Sequence, residues 1–309
     1  MHVTILLASY QGARFLAEQL ASIAAQDHAD WSLIVSDDGS RDATRAIVAQ
    51  FAASRADGQV RLIDGPGQGA TRNFLSLIAA APQAGLTAMA DQDDVWLPHK
   101  LTRAVAALDG TAADDPALYC ARTILCDDAL GNRRDSRWFR RPHAFRNALV
   151  QACTPGNTIV LTPAAVARLQ VAAPAAVAAG VVSHDWWAYQ VITGGGGPVV
   201  WDSERVLLYR QHGGNEVGGN DTLRGRGQRI GKLLGGDYGR WLRANLTALA
   251  APEVGLTAEN RDLAEGLLRA LDLNGPRAAA AIRELGLYRQ GAAGTAALYL
   301  AALAGRLRG

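Results

Sequence analysis

Three observations predict an α/β protein with a mostly parallel central sheet. Over the first hundred residues, short apolar runs alternate with stretches of helical periodicity. The separations suit right-handed crossovers between parallel strands. The three loops richest in chemistry, Ser9 to Gly12, Asp37 to Ser40 and Asp91 to Asp94, all follow apolar runs. In such sheets ligands bind beyond the carboxyl ends of the strands, so these loops are expected to converge.

Taken in order, Val3 to Ala8 reads as the first strand, and Leu16, Leu20 and Ile23 form a helical stripe behind it. Leu33 to Val35 is the second strand. A helix is expected from about Asp42, with Ser40 and Asp42 as capping side chains and periodicity from Thr44 to Phe51. Val60 to Ile63 and Leu86 to Ala90 are further strands, with a helix at Thr71 to Ala80 between them and another from Pro98 through Val105. The middle of the chain reads differently. Ala117 to Leu125, Thr158 to Leu161, a stretch from Val199 and Val206 to Arg210 look like strands, and His184 to Thr193 looks like a helix. From about Asp221 the chain is expected to be helical. This divides it into residues 1–220, with halves 1–110 and 111–220, and a C-terminal helical extension 221–309.

Composition narrows the class. In 309 residues, 49% are apolar and 19% charged, enough for an ordinary core, and a net charge of +2 is too mild to argue for nucleic acid. Cys120, Cys126 and Cys153 match no zinc spacing and fit a reducing compartment. No basic leader precedes the first strand. The apolar segment Ala292 to Leu307 is broken by Gly294 and Gly305 and falls short of the roughly 20 residues of a spanning helix. A soluble cytoplasmic protein is expected.

The most informative segment is Asp91-Gln92-Asp93-Asp94-Val95-Trp96, three carboxylates in four positions at a strand end. Like charges so close repel unless something positive holds them. A hard divalent cation takes oxygen ligands and would in turn hold phosphate oxygens. An acidic helix cap would account for one of these acids, not three. Asp37-Asp38-Gly39-Ser40 would by itself be an ordinary turn, or a carboxylate receiving a nucleobase imide N–H. Gly65-Pro66-Gly67-Gln68-Gly69-Ala70 fits a relaxed dinucleotide fingerprint, with Asp91 about 20 residues on. It follows the third strand rather than the first, which argues against a nicotinamide site. Asp185 opens a predicted helix beside Trp186 and Trp187, either as a charge stabilised by the helix dipole or as a proton acceptor near sugar-stacking faces. His212 ends a strand ahead of a glycine-rich segment, as a structural residue or a ligand. Arginines 224, 226, 229, 240 and 243 with Lys232 form a basic run over 224–243. It is either a solvated helix face or a contact for an anionic bilayer, with Leu233, Leu234, Tyr238 and Trp241 as anchors.

Together these segments resemble the family 2 glycosyltransferases of the GT-A fold. The resemblance covers about the first 220 residues. It rests on Ala8-Ser9-Tyr10, Asp37 to Thr44, Gly69 to Phe74, Asp91 to Pro98 and His184-Asp185. The wording of the acid loop, of His184 to Trp187 and of Tyr209 to His212 is similar to bacterial rhamnosyltransferases of surface polysaccharide. The resemblance implies that Tyr10 stacks on the pyrimidine, Ala8 supplies main-chain contacts, and Asp38 binds the base with Arg72 beside it. Asp91 and Asp93 become the two acids of a metal-binding D-x-D motif, Asp91 nearer the ribose and Asp93 on the Mg²⁺ or Mn²⁺ ion. His212 becomes a further metal ligand, Asp185 the catalytic base, and Asp94 is left without a role. The expected reaction is an inverting transfer from a nucleotide-sugar donor, dTDP-rhamnose or a UDP-sugar, to a saccharide or lipid-linked saccharide. It would take place in the cytoplasm or at the inner face of the plasma membrane. A nicotinamide oxidoreductase and a non-catalytic nucleotide-sugar-binding module are the competing readings.

Overall fold

In the computed structural model, residues 1–111, 114–213 and 236–308 are described. Strands β1 (Val3–Ser9), β2 (Trp31–Asp37), β3 (Val60–Asp64) and β4 (Leu86–Asp91) are linked by helices α1 (Leu16–Ala24), α2 (Thr44–Ala53) and α3 (Ala70–Ala80). β5 (Val95–Trp96) and α4 (Lys100–Leu108) follow. The second half comprises β6 (Leu118–Cys126), β7 (Arg134–Asp135), α5 (Phe145–Ala148), β8 (Val160–Leu161), α6 (Pro163–Ala179), α7 (His184–Gly194) and β9 (Val199–Arg210). Helices α8 (Asp237–Leu249), α9 (Ala258–Asp272), α10 (Gly275–Glu284) and α11 (Ala292–Leu303) complete the described chain.

The sheet order is β3-β2-β1-β4-β8-β6-β9-β5, with β7 paired to β6. β1, β2, β3 and β4 are mutually parallel, and β6 runs parallel to β9. β8 pairs antiparallel to β4 and β6, which splices the two halves into one sheet.

Strand alternation divides the core into two layers. Leu6, Ile34, Met89 and Leu118 face the layer built from α3, α6, α7 and the C-terminal helices. Val3, Ile5, Leu7, Leu33, Val35 and Ala88 face the opposite layer, which holds α1 and α4.

Several details depart from the pattern of the sequence. The two strands expected around Val199 and Val206 are one strand of twelve residues, whose register against β6 shifts on either side of Arg122. Helix α6 was not expected. Its ends carry clear signals: Thr162 Oγ accepts from the Ala165 amide, Pro163 occupies the first turn, and Gly180 closes the helix at φ +70°. So many of its residues are alanine that its faces contrast weakly. The basic run over 224–243 lies mostly outside the described residues. Of its expected apolar anchors, Tyr238 is buried with its hydroxyl donating to Val150 O, and Trp241 packs against the core. Tyr238 is therefore withdrawn from the surface, and Trp241 is only partly exposed. No helix among the described residues is long and apolar enough to cross a membrane, and the three cysteines are buried and free.

Candidate active site

The loops after β1, β2 and β4 are hydrogen-bonded to one another. Gln92 clamps the first to the third: its Oε1 accepts from the Tyr10 amide and its Nε2 donates to the Tyr10 carbonyl, both at 2.9 Å. Gln11, held at φ +49°, donates its amide to Ser40 Oγ, and Gly12 donates to Thr44 Oγ1. The Tyr10 ring stands 56% exposed at this junction. Ala8 sits level with Asp91 on β4 and Ser36 on β2.

Asp37 and Asp38 are both buried, with different partners. Asp37 accepts from the amide and hydroxyl of Ser40 and from Arg45. Asp38 accepts from the amides of Gly67 and Gly69, one on each carboxylate oxygen, at 2.7 Å. A Cβ on Gly65 would lie 2.7 Å from Asp38 Oδ1, so only glycine lets the loop close over this carboxylate. The glycine amides that a dinucleotide reading assigned to phosphate are thus taken by the protein's own acid. Arg72 donates to Val177 O at the end of α6 and makes no hydrogen bond with Asp38.

The acid loop separates its three carboxylates. Asp91 ends β4 and is half-buried. Asp93 Oδ2 lies 2.7 Å from His212 Nε2. Asp94 is fully buried, accepting from Asn157 Nδ2 at 2.6 Å and from the Arg210 amide at 3.3 Å. It caps no helix. Burial, then the charges of Asp93 and Asp91, push its carboxyl well above the usual range. Beneath the loop, Lys100 is fully buried, its Nζ 3.7 Å from the Trp96 ring centroid. Burial brings that ammonium down to about 7.

Arg210 organises the assembly from behind. Its buried guanidinium donates to Asp93 O (2.8 Å), to Asp128 O and to Glu18 Oε2 (2.5 Å). It also lies over the Phe15 ring, which in turn contacts the His212 ring with centroids 4.8 Å apart. Planar, five-donor arginine suits this branched set of acceptors as lysine does not.

Asp185 stands in the first turn of α7, where the helix dipole favours its negative charge. Its Oδ1 accepts from the Trp186 amide and from Ser183 Oγ, whereas Oδ2 takes no hydrogen bond among the described residues. His184 beside it is half-buried and stacked on Phe74 at 3.9 Å, and desolvation lowers its basicity against the pull of Asp185. The short turn Gly156–Thr158 joins the two parts of the site. A Cβ on Gly156 would lie 2.9 Å from His184 Nε2 and 3.2 Å from Asp185 Cβ, and the next residue, Asn157, holds Asp94. Asn157 and Gly156 were not singled out in the sequence, and Gln92 and Arg210 enter it only as members of the acid loop and of Tyr209 to His212, with no role assigned. Asn157 and Gly156 carry no local signal.

Asp93 and His212 offer one oxygen and one nitrogen to a cation. Among the described residues, no group of three or more such ligands is gathered. This donor set fits a divalent ion whose shell phosphate oxygens and water complete, and the imidazole nitrogen does not single out Mg²⁺.

Residues 4–172, more than half of the chain, match the family described as glycosyl transferase family 2. The chain is 26% identical to the dTDP-rhamnosyl transferase RfbG of Shigella flexneri over 273 residues, 85% of this chain and 89% of that protein. It is 35% identical over 105 residues to an uncharacterized glycosyltransferase of Nostoc, covering 34% of this chain and only 32% of the relative. Among solved structures, the mannosyltransferase PcManGT of Pyrobaculum calidifontis, in complex with GDP-Man and Mn²⁺, superposes with a TM-score of 0.52 at 18% identity. That match spans 99% of this chain and 86% of the other. S. aureus TarS with UDP-GlcNAc gives 0.54 at 13% identity, over 93% of both chains. The chain belongs to glycosyl transferase family 2 and has the GT-A fold.

Proposed function

We propose that this protein moves L-rhamnose from dTDP-rhamnose onto a saccharide acceptor in the synthesis of a surface polysaccharide, inverting the anomeric centre. The observation that carries the catalytic part is the turn Gly156–Thr158, which packs against Asp185 on one side and holds the acid loop on the other. In this reading the turn supports both the proton acceptor and, through Asp94, the loop that carries Asp93. The donor assignment is supported by the similarity to RfbG along most of both chains.

In this reading Tyr10 stacks on the base and Ala8 contributes main-chain contacts. Asp38 keeps the loop Gly65–Gly69 closed around the nucleotide pocket, with lone pairs left for the base N–H. Arg72 lines the same region from α3. Asp91 faces the ribose, and Asp93 with His212 would hold the divalent ion. When bound, that ion neutralises the departing diphosphate, so no general acid is needed on that side. Asp185 Oδ2 receives the acceptor hydroxyl proton as the oxygen attacks, because a sugar hydroxyl is too weak an acid to ionise beforehand. A single base acting in a direct displacement inverts the stereochemistry, unlike the paired carboxylates of retaining glycosidases. The donor and a lipid-linked acceptor would meet at the inner face of the plasma membrane.

The test is release of nucleoside diphosphate from a panel of dTDP-, UDP- and GDP-sugars, with acceptor supplied and with Mg²⁺, Mn²⁺ or EDTA. Turnover confined to dTDP-rhamnose and abolished by EDTA is expected. Turnover with another donor alone would overturn the rhamnose assignment. No turnover with any donor would overturn the whole reading.

A further inference from the structure

We infer that the outer end of the C-terminal helical layer is a docking surface for an anionic lipid bilayer. Helix α11 carries no charged residue from Ala292 to Leu303, and its outward positions are apolar. Leu300 is 63% exposed and Leu303, one turn on, 46% exposed. A third exposed leucine, Leu273, precedes α10 at the same end of the layer. The contacts that bring it there are explicit: Arg308 donates to Asn274 Oδ1 at 2.9 Å, and a Cβ on Gly275 would lie 3.8 Å from Leu303 O.

Arginines surround this apolar spot. Arg306 and Arg308 follow α11, both exposed, and Arg277 is exposed in the first turn of α10. Arg243 donates to Arg308 O and to Asp272, so the nearby acid is already partnered. Exposed leucines ringed by arginines match a bilayer in both of its layers: acyl chains for the leucines, anionic headgroups for the guanidinium groups. A second copy of this chain matches less well. A two-fold contact across the same patch would set its arginines against their own symmetry mates, and like charges opposed in an interface are penalised. The surface is separate from the candidate active site, so its test stands apart from the reaction.

The experiment is co-sedimentation of the full chain with phosphatidylcholine vesicles, with and without one quarter phosphatidylglycerol. Binding to the anionic vesicles alone is expected, and it should weaken at high salt because exposed charges are screened. L300S/L303S and R306E/R308E should each lower the bound fraction at least fivefold, with melting temperatures unchanged because the substituted side chains are exposed. A wild-type protein that stays in the supernatant with anionic vesicles would overturn the inference, as would variants that sediment like it. A concentration-dependent dimer lost in L300S/L303S would assign the surface to a second copy and overturn it too.

Discussion

Arg210 Nε donates to the carbonyl oxygen of Asp93 at 2.8 Å, and two residues further on His212 Nε2 meets the carboxylate of the same Asp93 at 2.7 Å. One strand end thus fixes both the backbone and the side chain of a candidate metal ligand. Groups that orient ligands in this way tune affinity without touching the ion. Arg210→Lys keeps the charge but cannot serve three separate acceptors. It should weaken Mn²⁺-dependent binding of the nucleoside diphosphate by about tenfold or more. Titration calorimetry with and without Mn²⁺ checks this, and equal affinities would show that the arginine is only packing.

Asp185→Asn tests the base. An amide oxygen can still accept from the Trp186 amide, so the first turn of α7 should stay in place. Turnover should fall by about 100- to 10,000-fold, the usual share of general-base catalysis. Donor affinity should stay within a factor of two of wild type, on the order of measurement error in a binding titration. A variant with near-normal turnover would remove Asp185 from the mechanism.

Gly156→Ala probes the shared turn without altering any chemical group. The added methyl would sit 3.2 Å from Asp185 Cβ and 2.9 Å from His184 Nε2, so the base must shift. Misplacement by about 1 Å can cost on the order of 100-fold in rate. A kcat loss of at least tenfold, with little change in KM for the donor, is the expected pattern. Steady-state kinetics decides it, and a proportionate rise in KM alone would place the effect on binding instead.

Asp38→Ala removes the carboxylate that accepts from two loop amides and leaves Gly67 and Gly69, both exposed, to water. The cost should be about 1 kcal/mol per lost hydrogen bond, read from chemical denaturation. Limited proteolysis should then cut within residues 65–69 faster than in the wild type. An intact loop in the variant would show that Gly67 and Gly69 are held by other contacts.

Lys100 gives a pH-dependent prediction. Burial lowers its ammonium from 10.5 to about 7 in the folded protein. Between those two values the unfolded chain holds the extra proton, so this residue makes stability rise with pH. Below pH 7 both states are charged and the full burial cost remains. Lys100→Met should therefore raise the melting temperature by several degrees at pH 6 and by much less at pH 9. A gain that does not depend on pH would mean that Lys100 is not what titrates.

The separate parts of the candidate site were legible because local chemistry marks them. Short apolar runs separated by helical stripes located β1 to β4, and the loops at their carboxyl ends carry acids and glycines in an unusual density. The assignments that the structure refined all depend on distant partners. The glycine loop read as a dinucleotide fingerprint closes on Asp38, some 30 positions earlier. Arg72 is held by Val177 O, more than a hundred residues on. Two apolar residues of the basic run, Tyr238 and Trp241, pack toward the core of the C-terminal layer.

By itself, then, the sequence determined the α/β class, the strands that deliver each loop, and the types of side chain available for chemistry. These follow from periodicity and charge density, which a chain carries wherever it folds. Only the tertiary structure decided which carboxylate of Asp91, Asp93 and Asp94 faces what. Asp94 is withdrawn to Asn157 and Arg210, 63 and 116 residues away, and Asp93 is turned to His212. The reason is physical: three adjacent like charges cannot share one environment, and the partners that separate them come from strands joined only when the sheet closes.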